Sequence, residues 1–254
     1  LQAQCTASSY AMRELGVPFA GLFGACSTMA EGLALGAALC EGGAARNLLA
    51  MASSHFCAAE RQFRTPLSYG AVRTPTAQWT ATAAGCCLLQ PRGEGVGIAA
   101  ATFGRVQDYQ VKDINNMGAA MAPAAASTLL HYFKDTGTEP QEFDCIYTGD
   151  LGQVGSQLLR ELLAAEGLLI KNHVDCGCIL FDANEQSVKS GGSGPGCCAA
   201  VLCGHILPRL RRGSQKRVLF TATGALMSQT TFLQKETIPA VAHLVELRAP
   251  EKEK

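Results

Sequence analysis

At 254 residues the chain is long enough for one large domain or two fused smaller ones. A hydrophobic fraction of 48% against 17% charged residues excludes a disordered polymer. The 21 basic and 21 acidic side chains cancel, which removes any general electrostatic reason to expect nucleic acid or an anionic membrane as partner. The richest apolar run, Met117 to Leu130, is alanine-heavy, contains Pro123 and falls short of the roughly 20 residues of a membrane span.

The chain begins Leu1-Gln2, which reads as a fragment starting inside a domain. Its 12 cysteines sit mostly in apolar segments (Cys40, Cys86, Cys87, Cys197, Cys198, Cys203), the pattern of reduced thiols used as small core residues.

In chain order, the apolar run Ala20 to Phe23 reads as a strand that turns sharply at Gly24-Ala25-Cys26-Ser27 into a small-residue helix ending near Cys40. Glycine allows the tight backbone of such an elbow. A helix start aims free N–H groups and a positive dipole end at whatever sits in front. A thiol there is expected to ionise readily and to act as an acyl-transfer nucleophile. Leu48 to Ser54 reads as a strand; Thr80–Gln90 and Val96–Val106 read as a hairpin around Pro91 to Gly95. Met117–Phe133 reads as a helix interrupted near Pro123, Phe143–Thr148 as a buried strand, and Val154–Ala165 as a helix stopped by Gly167. Asn172 to Asp175 reads as a loop.

The order of glycine-rich turn, helix, break and strand then recurs. Gly191–Gly196 is the second turn, Cys197–Leu210 the helix, Arg211–Lys216 the break and Val218–Gly224 the strand, with Gly24 overlying Gly194 and Cys26 overlying Gly196. Ala240–Leu247 is the closing strand. Alternating strands and helices imply a layered α/β architecture, and the recurrence implies two duplicated halves. The reading divides the chain into the remainder of a first half (1–108), a second half (109–250) and a solvated tail (251–254).

This combination resembles the thiolase-like superfamily, in which two βαβαβαββ halves pack in αβαβα layers and a nucleophilic cysteine starts a buried helix. Here that cysteine is Cys26. The segments Gly24 to Gly32, Ser53 to Phe56, Asn116-Met117-Gly118 with Met121 to Ala125, Thr148 to Gly152, His173 to Gly177 and Thr223 to Leu226 resemble one member, the stage V sporulation protein AD family. The first strands of that family's first half are missing.

A condensing enzyme of this superfamily needs two polar side chains, usually two His or a His and an Asn, to hold an enolate. The resemblance puts the first at Gly149, with Asp150 of the wrong charge beside it, and the second at Ser193. It therefore implies a degenerate pocket with no catalytic residues and no cofactor, in which Cys26, His173, Asp150, Ser193 and His55 contact a ligand. It names that ligand as dipicolinic acid or its calcium chelate, taken up into the spore. It implies a homodimer paired near Leu48–Ser54, other membrane proteins of the same sporulation system as partners, and a peripheral site on the forespore inner membrane.

Arg61, Arg64 and Arg73 are candidate carboxylate contacts and Trp79 a stacking surface. The competing reading is an active ketoacyl-synthase-like acyltransferase, with Cys26 as nucleophile and His173 or His55 replacing the missing imidazole. Asp150 could instead cap the helix that follows it. Cys176-Gly177-Cys178 lacks the spacing of a zinc pair. His131, His205 and His243 read as structural, and Arg209, Arg211 and Arg212 as a solvated helix end.

Overall fold

A computed structural model describes residues 2–63, 70 and 72–251. Its largest sheet has five strands: β4 (Gly97–Thr102), β5 (Cys145–Gly149), β6 (His173–Asp175), β8 (Arg217–Ala225) and β9 (Ala240–Arg248). They lie in the order β4-β9-β8-β5-β6, with β6, β5 and β8 parallel and β9 antiparallel to both its neighbours. A second sheet is the antiparallel pair β1 (Leu48–Ser54) and β3 (Ala83–Leu89). A third holds only the parallel pair β2 (Trp79–Thr80) and β7 (Gly192–Ser193).

Helices α4 (Met117–Thr136) and α5 (Gly152–Ala165) cover one face of the five-stranded sheet. Between them Leu129, Ile146, Leu159, Leu219 and Leu244 form one core. The other face packs on α2 (Thr28–Glu41) and α7 (Pro195–Val201), and beyond these lies the β1–β3 pair. Met29, Leu33, Ala50, Leu202, Phe220 and Val245 fill this second core. The layers among the described residues therefore run helix, sheet, helix, sheet.

The duplication is visible. Helix α2 leads to β1 and its antiparallel partner β3. Helix α7 leads through a π-helical turn (Leu202–Ile206) and α8 (Leu207–Arg211) to β8 and its antiparallel partner β9.

Four expectations are corrected. No strand precedes the elbow: residues 17–24 have no regular structure, with Phe19 and Phe23 exposed. The hairpin around Pro91–Gly95 does not form, because β3 pairs with β1 and β4 with β9 in different sheets. Turn chemistry suggested a hairpin, but seven residues (90–96) separate the strands and each finds a better-buried partner. Strand β4, read into the segment 1–108, thus lies in the sheet of the later strands. Helix α4 runs unbroken through Pro123, which is buried against the sheet. Packing of the surrounding alanines outweighs the lost backbone hydrogen bond. Asn116 caps the helix by accepting from Ala119 N.

Residues 172–175, read as a loop, contribute the edge strand β6 beside β5. Among the described residues no helix is long and apolar enough to cross a membrane.

Candidate functional site

The elbow is built by local hydrogen bonds. Ser27 N and Ser27 Oγ both donate to Gly24 O, at 2.9 and 2.6 Å, and Thr28 Oγ1 donates to Ala25 O at 2.6 Å. The strained position is not a glycine: Ala25 holds φ +50° while Gly24 sits at −80°. Gly24 is required for closeness instead, since a Cβ there would run into the Glu31 carboxylate and lie 2.6 Å from Ser27 Oγ. A non-glycine residue with positive φ costs on the order of 1 kcal/mol or more and is characteristic of binding and catalytic sites.

Cys26 follows on a short 3-10 turn (Ala25–Ser27) and lines a cleft of about 380 Å³. That volume falls within the roughly 300–1,000 Å³ of small-molecule sites. Ser193, at the end of β7, lies on the same cleft, and its hydroxyl and the Gly194 N–H come close enough to the sulfur to favour its charged form. Around them are Thr28, Gln78, Thr80, Asn115, Met117, Met121, Met227, Ser228 and Thr231. Sequence reasoning missed most of this wall. Met117 and Met121 on α4 and Gln78 just before β2 come from two distant segments, and only the fold brings them to the elbow.

The thiol is not activated. Burial pushes it up, and Asp150 adds to the rise whenever its carboxyl is charged; together they outweigh the favourable contacts from Gly194 and Ser193. The expectation that the helix start would make Cys26 ionise readily is thus reversed.

Asp150 sits behind the elbow in a left-handed conformation, φ +68°, and is fully buried. Neither carboxylate oxygen has a well-formed hydrogen bond, and only the Cys197 thiol comes close enough to ease its charge. Burial and the neighbouring Asp175 hold it well above the usual carboxylate range, which favours the neutral acid. It does not cap α5; Leu151 occupies that position. Asp175 takes over the capping of backbone amides. Its Oδ1 accepts from Gly152 N and Gly177 N, both at 2.9 Å, and its Oδ2 from Leu151 N at 3.1 Å and Thr148 Oγ1 at 2.7 Å. Burial still raises it to about 6.

His173 and His55 do not line the cleft. His173 Nε2 is 2.8 Å from Thr148 Oγ1 and its Nδ1 is 3.4 Å from Arg160 Nη1. Burial first, and the Arg160 charge second, lower it to about 4. It is therefore a neutral imidazole tied to the Thr148–Asp175 network, because β6 is a strand and not an active-site loop. His55 is exposed between β1 and α3 (Phe56–Phe63).

Gly149, the position at which the resemblance expects an imidazole, cannot carry one. A Cβ there would lie 2.8 Å from Cys198 Cβ. Arg73 is engaged by Glu60 at 2.7 Å and stacks over Trp79 at 4.1 Å, while Phe56 covers the indole at 4.7 Å. Trp79 is thus part of a closed sandwich and not a free stacking surface. Arg61 lies on α3 with an exposed side chain, and Arg64 falls outside the described residues. Among the described residues no three His, Cys, Asp or Glu side chains converge as metal ligands.

Solved structures share this fold. Xanthomonas campestris OleA with bound cerulenin superposes with a TM-score of 0.59 at 14% identity, covering 94% of this chain and 67% of that one. AbyA1, a tetronic acid condensing enzyme, gives 0.58 at 14% identity over 94% and 72%. The 3-oxoacyl-(acyl carrier protein) synthase III of Pseudomonas aeruginosa gives 0.53 at 14% over 90% and 66%. The fold is thiolase-like. In sequence, stage V sporulation protein AD of Bacillus subtilis strain 168 is 43% identical over 241 residues, 94% of this chain and 71% of that protein. The model of the family described as stage V sporulation protein AD matches residues 1–248. This chain belongs to the stage V sporulation protein AD family.

Proposed function

We propose that this sporulation protein binds a small ligand in the Cys26 cleft without chemically transforming it. The observation that carries the reading is a neutral thiol at the elbow with no imidazole among the described cleft-lining residues. An acyl transfer needs a thiolate or an adjacent base, and an enolate needs donors around its oxygen. Losing a single oxyanion donor typically costs about 100- to 1000-fold in rate.

The ligand we infer is dipicolinic acid, in the form of its calcium chelate. The family membership suggests the acid, and the lining favours the chelate. Glu60 is the one charged side chain among the described lining residues, and it is a carboxylate. The side-chain carbonyls of Gln62 and Gln78 are buried without hydrogen-bond partners. A free dianion would meet unpartnered amide oxygens, a carboxylate already paired with Arg73, and no cationic side chain among the described lining residues. A chelate presents a hard cation, for which carboxylate and amide oxygens are suitable neighbours.

On this reading the protein supports uptake of the ligand into the spore together with membrane partners, at the forespore inner membrane. It does so as a homodimer, whose contact would cover the outward Leu49 and Met51 of β1; these are 58% and 49% exposed. Isothermal titration calorimetry with dipicolinate, with and without equimolar calcium, tests the ligand. Saturable binding that is tighter with calcium and weakened by Ser193→Ala supports it. No heat with either form, or binding insensitive to the cleft, refutes it.

A further inference from the structure

Two thiols far from the cleft face one another across the central layer. Cys87 is on the inward side of β3, and Cys203 is on the π-helical turn between α7 and α8. Their sulfurs are 3.9 Å apart, and Cys203 Sγ is also 3.7 Å from Cys86 O. A disulfide needs about 2.05 Å, so the pair must close by less than about 2 Å. Both side chains are partly exposed, while the adjacent Cys86 points outward on the alternating strand. A π-helical turn is an irregular segment, often found at functional sites. We propose that Cys87 and Cys203 are a reversible redox pair, in which a hydroperoxide oxidises Cys203 and Cys87 resolves it to a disulfide stapling β3 to the end of α7.

The electrostatics divide the roles. Either sulfur of the pair can donate to the other; with Cys87 as donor, and with help from the Cys86 backbone and the Arg211 cation against burial, Cys203 is lowered to about 6, whereas Cys87 is pushed up. Cys203 is then a thiolate near neutral pH and the attacking sulfur. It takes the terminal oxygen of the hydroperoxide; the O–O bond breaks, the remainder leaves as alkoxide and is protonated to an alcohol (water, for hydrogen peroxide). The Cys203 sulfenic acid is attacked by Cys87: the S–S bond forms, the S–O bond breaks, and hydroxide leaves with the Cys87 proton as water. Two electrons from the thiols have reduced one O–O bond. A dithiol reverses the reaction by exchange.

The two elements already touch. Gly85 of β3 lies so close to α7 that a Cβ would sit 2.5 Å from Ala199 O. At its start α7 follows directly on Ser193 and Gly194, and Cys198 Sγ lies 3.5 Å from Cys26 O. The staple would therefore restrain the cleft's rear wall and, by closing a long loop of chain, constrain the unfolded state.

The test treats the full chain with hydrogen peroxide near neutral pH and maps it by mass spectrometry without reduction. The expected product is a peptide linked through Cys203, with the protein lighter by two hydrogens, a raised Tm, and reversal by dithiothreitol. The link should persist in Cys86→Ser and vanish in Cys203→Ser. In Cys87→Ser and Cys87→Ala, Cys203 should accumulate as a sulfenic acid trapped by dimedone. Circular dichroism before oxidation selects the variants that fold. A link that is lost in Cys86→Ser and kept in Cys87→Ser, or no link in the parent protein, overturns the proposal.

Discussion

Replacing Asp150 with Asn should flatten the alkaline side of the stability profile. The structure buries two carboxyls at the end of β5, Asp150 without a well-formed hydrogen bond and Asp175 with four. Both have folded values raised above the ordinary 3.8. The native state therefore holds more protons than the unfolded chain. The stability this contributes is complete below about pH 4 and is lost as pH rises through the folded values. For Asp175, a rise from 3.8 to about 6 means a loss of about 3 kcal/mol between pH 4 and 7. Asp150 adds a loss that begins in the same window and continues to higher pH, beyond the point where Asp175 has titrated. Asn has the shape of the neutral acid and no charge to bury, so Asp150→Asn should match the parent within ~1 kcal/mol at pH 5. Above pH 7 it should be the more stable protein, keeping only the Asp175 share of the slope. Urea midpoints at pH 5, 7 and 9 measure this. Parallel profiles for parent and variant, or a collapse of the variant already at pH 5, would refute a neutral Asp150.

Other outcomes follow from the same geometry. Gly149→Ala pushes a methyl group against Cys198 and should destabilise the fold by about 1–3 kcal/mol, read from urea midpoints. Cys26 should alkylate with iodoacetamide more slowly than free cysteine at pH 7, with a rate that climbs only far into the alkaline range, because burial and Asp150 hold its proton. On the acid side, Glu246 is buried, and its bonds from Arg217 at 2.8 Å, Arg248 at 2.6 Å and the Tyr132 hydroxyl overcome burial and lower it to about 2. Its contribution is present above about pH 4.5 and is lost as pH falls toward 2. Glu246→Gln should cost about 3 kcal/mol at pH 7 and remove that acid-side slope.

Much of the frame was legible because it follows from local pattern. The helix after the elbow, the strands at 48–54 and 217–225, and the helix at 152–165 carry their own periodicity and stop signals, such as Gly167 at φ +79°. Partners of strands were not legible. Turn chemistry at Pro91–Gly95 speaks only of neighbours in sequence, while β4 is held by β9 more than a hundred residues away. Pro123 looked like a break because its local cost is visible and its tertiary compensation is not.

At the site, Cys26 was marked by the elbow and Ser193 by the resemblance, and both line the cleft. His173 was misplaced by reading 172–175 as a loop; Ile146 and Thr148 on β5 recruit it as a strand. The thiol's chemistry was misjudged for a physical reason. A helix start argues for ionisation, but the opposing burial and Asp150 belong to a geometry that sequence spacing does not encode.

The central claim is that the elbow cysteine persists without its reactivity. Intact-mass spectrometry after incubation with acetyl-CoA, and separately with a longer acyl-CoA, tests it most directly. The account predicts an unmodified chain and no release of free CoA. An acyl adduct mapped to Cys26, with CoA accumulating over repeated turnovers, would contradict it.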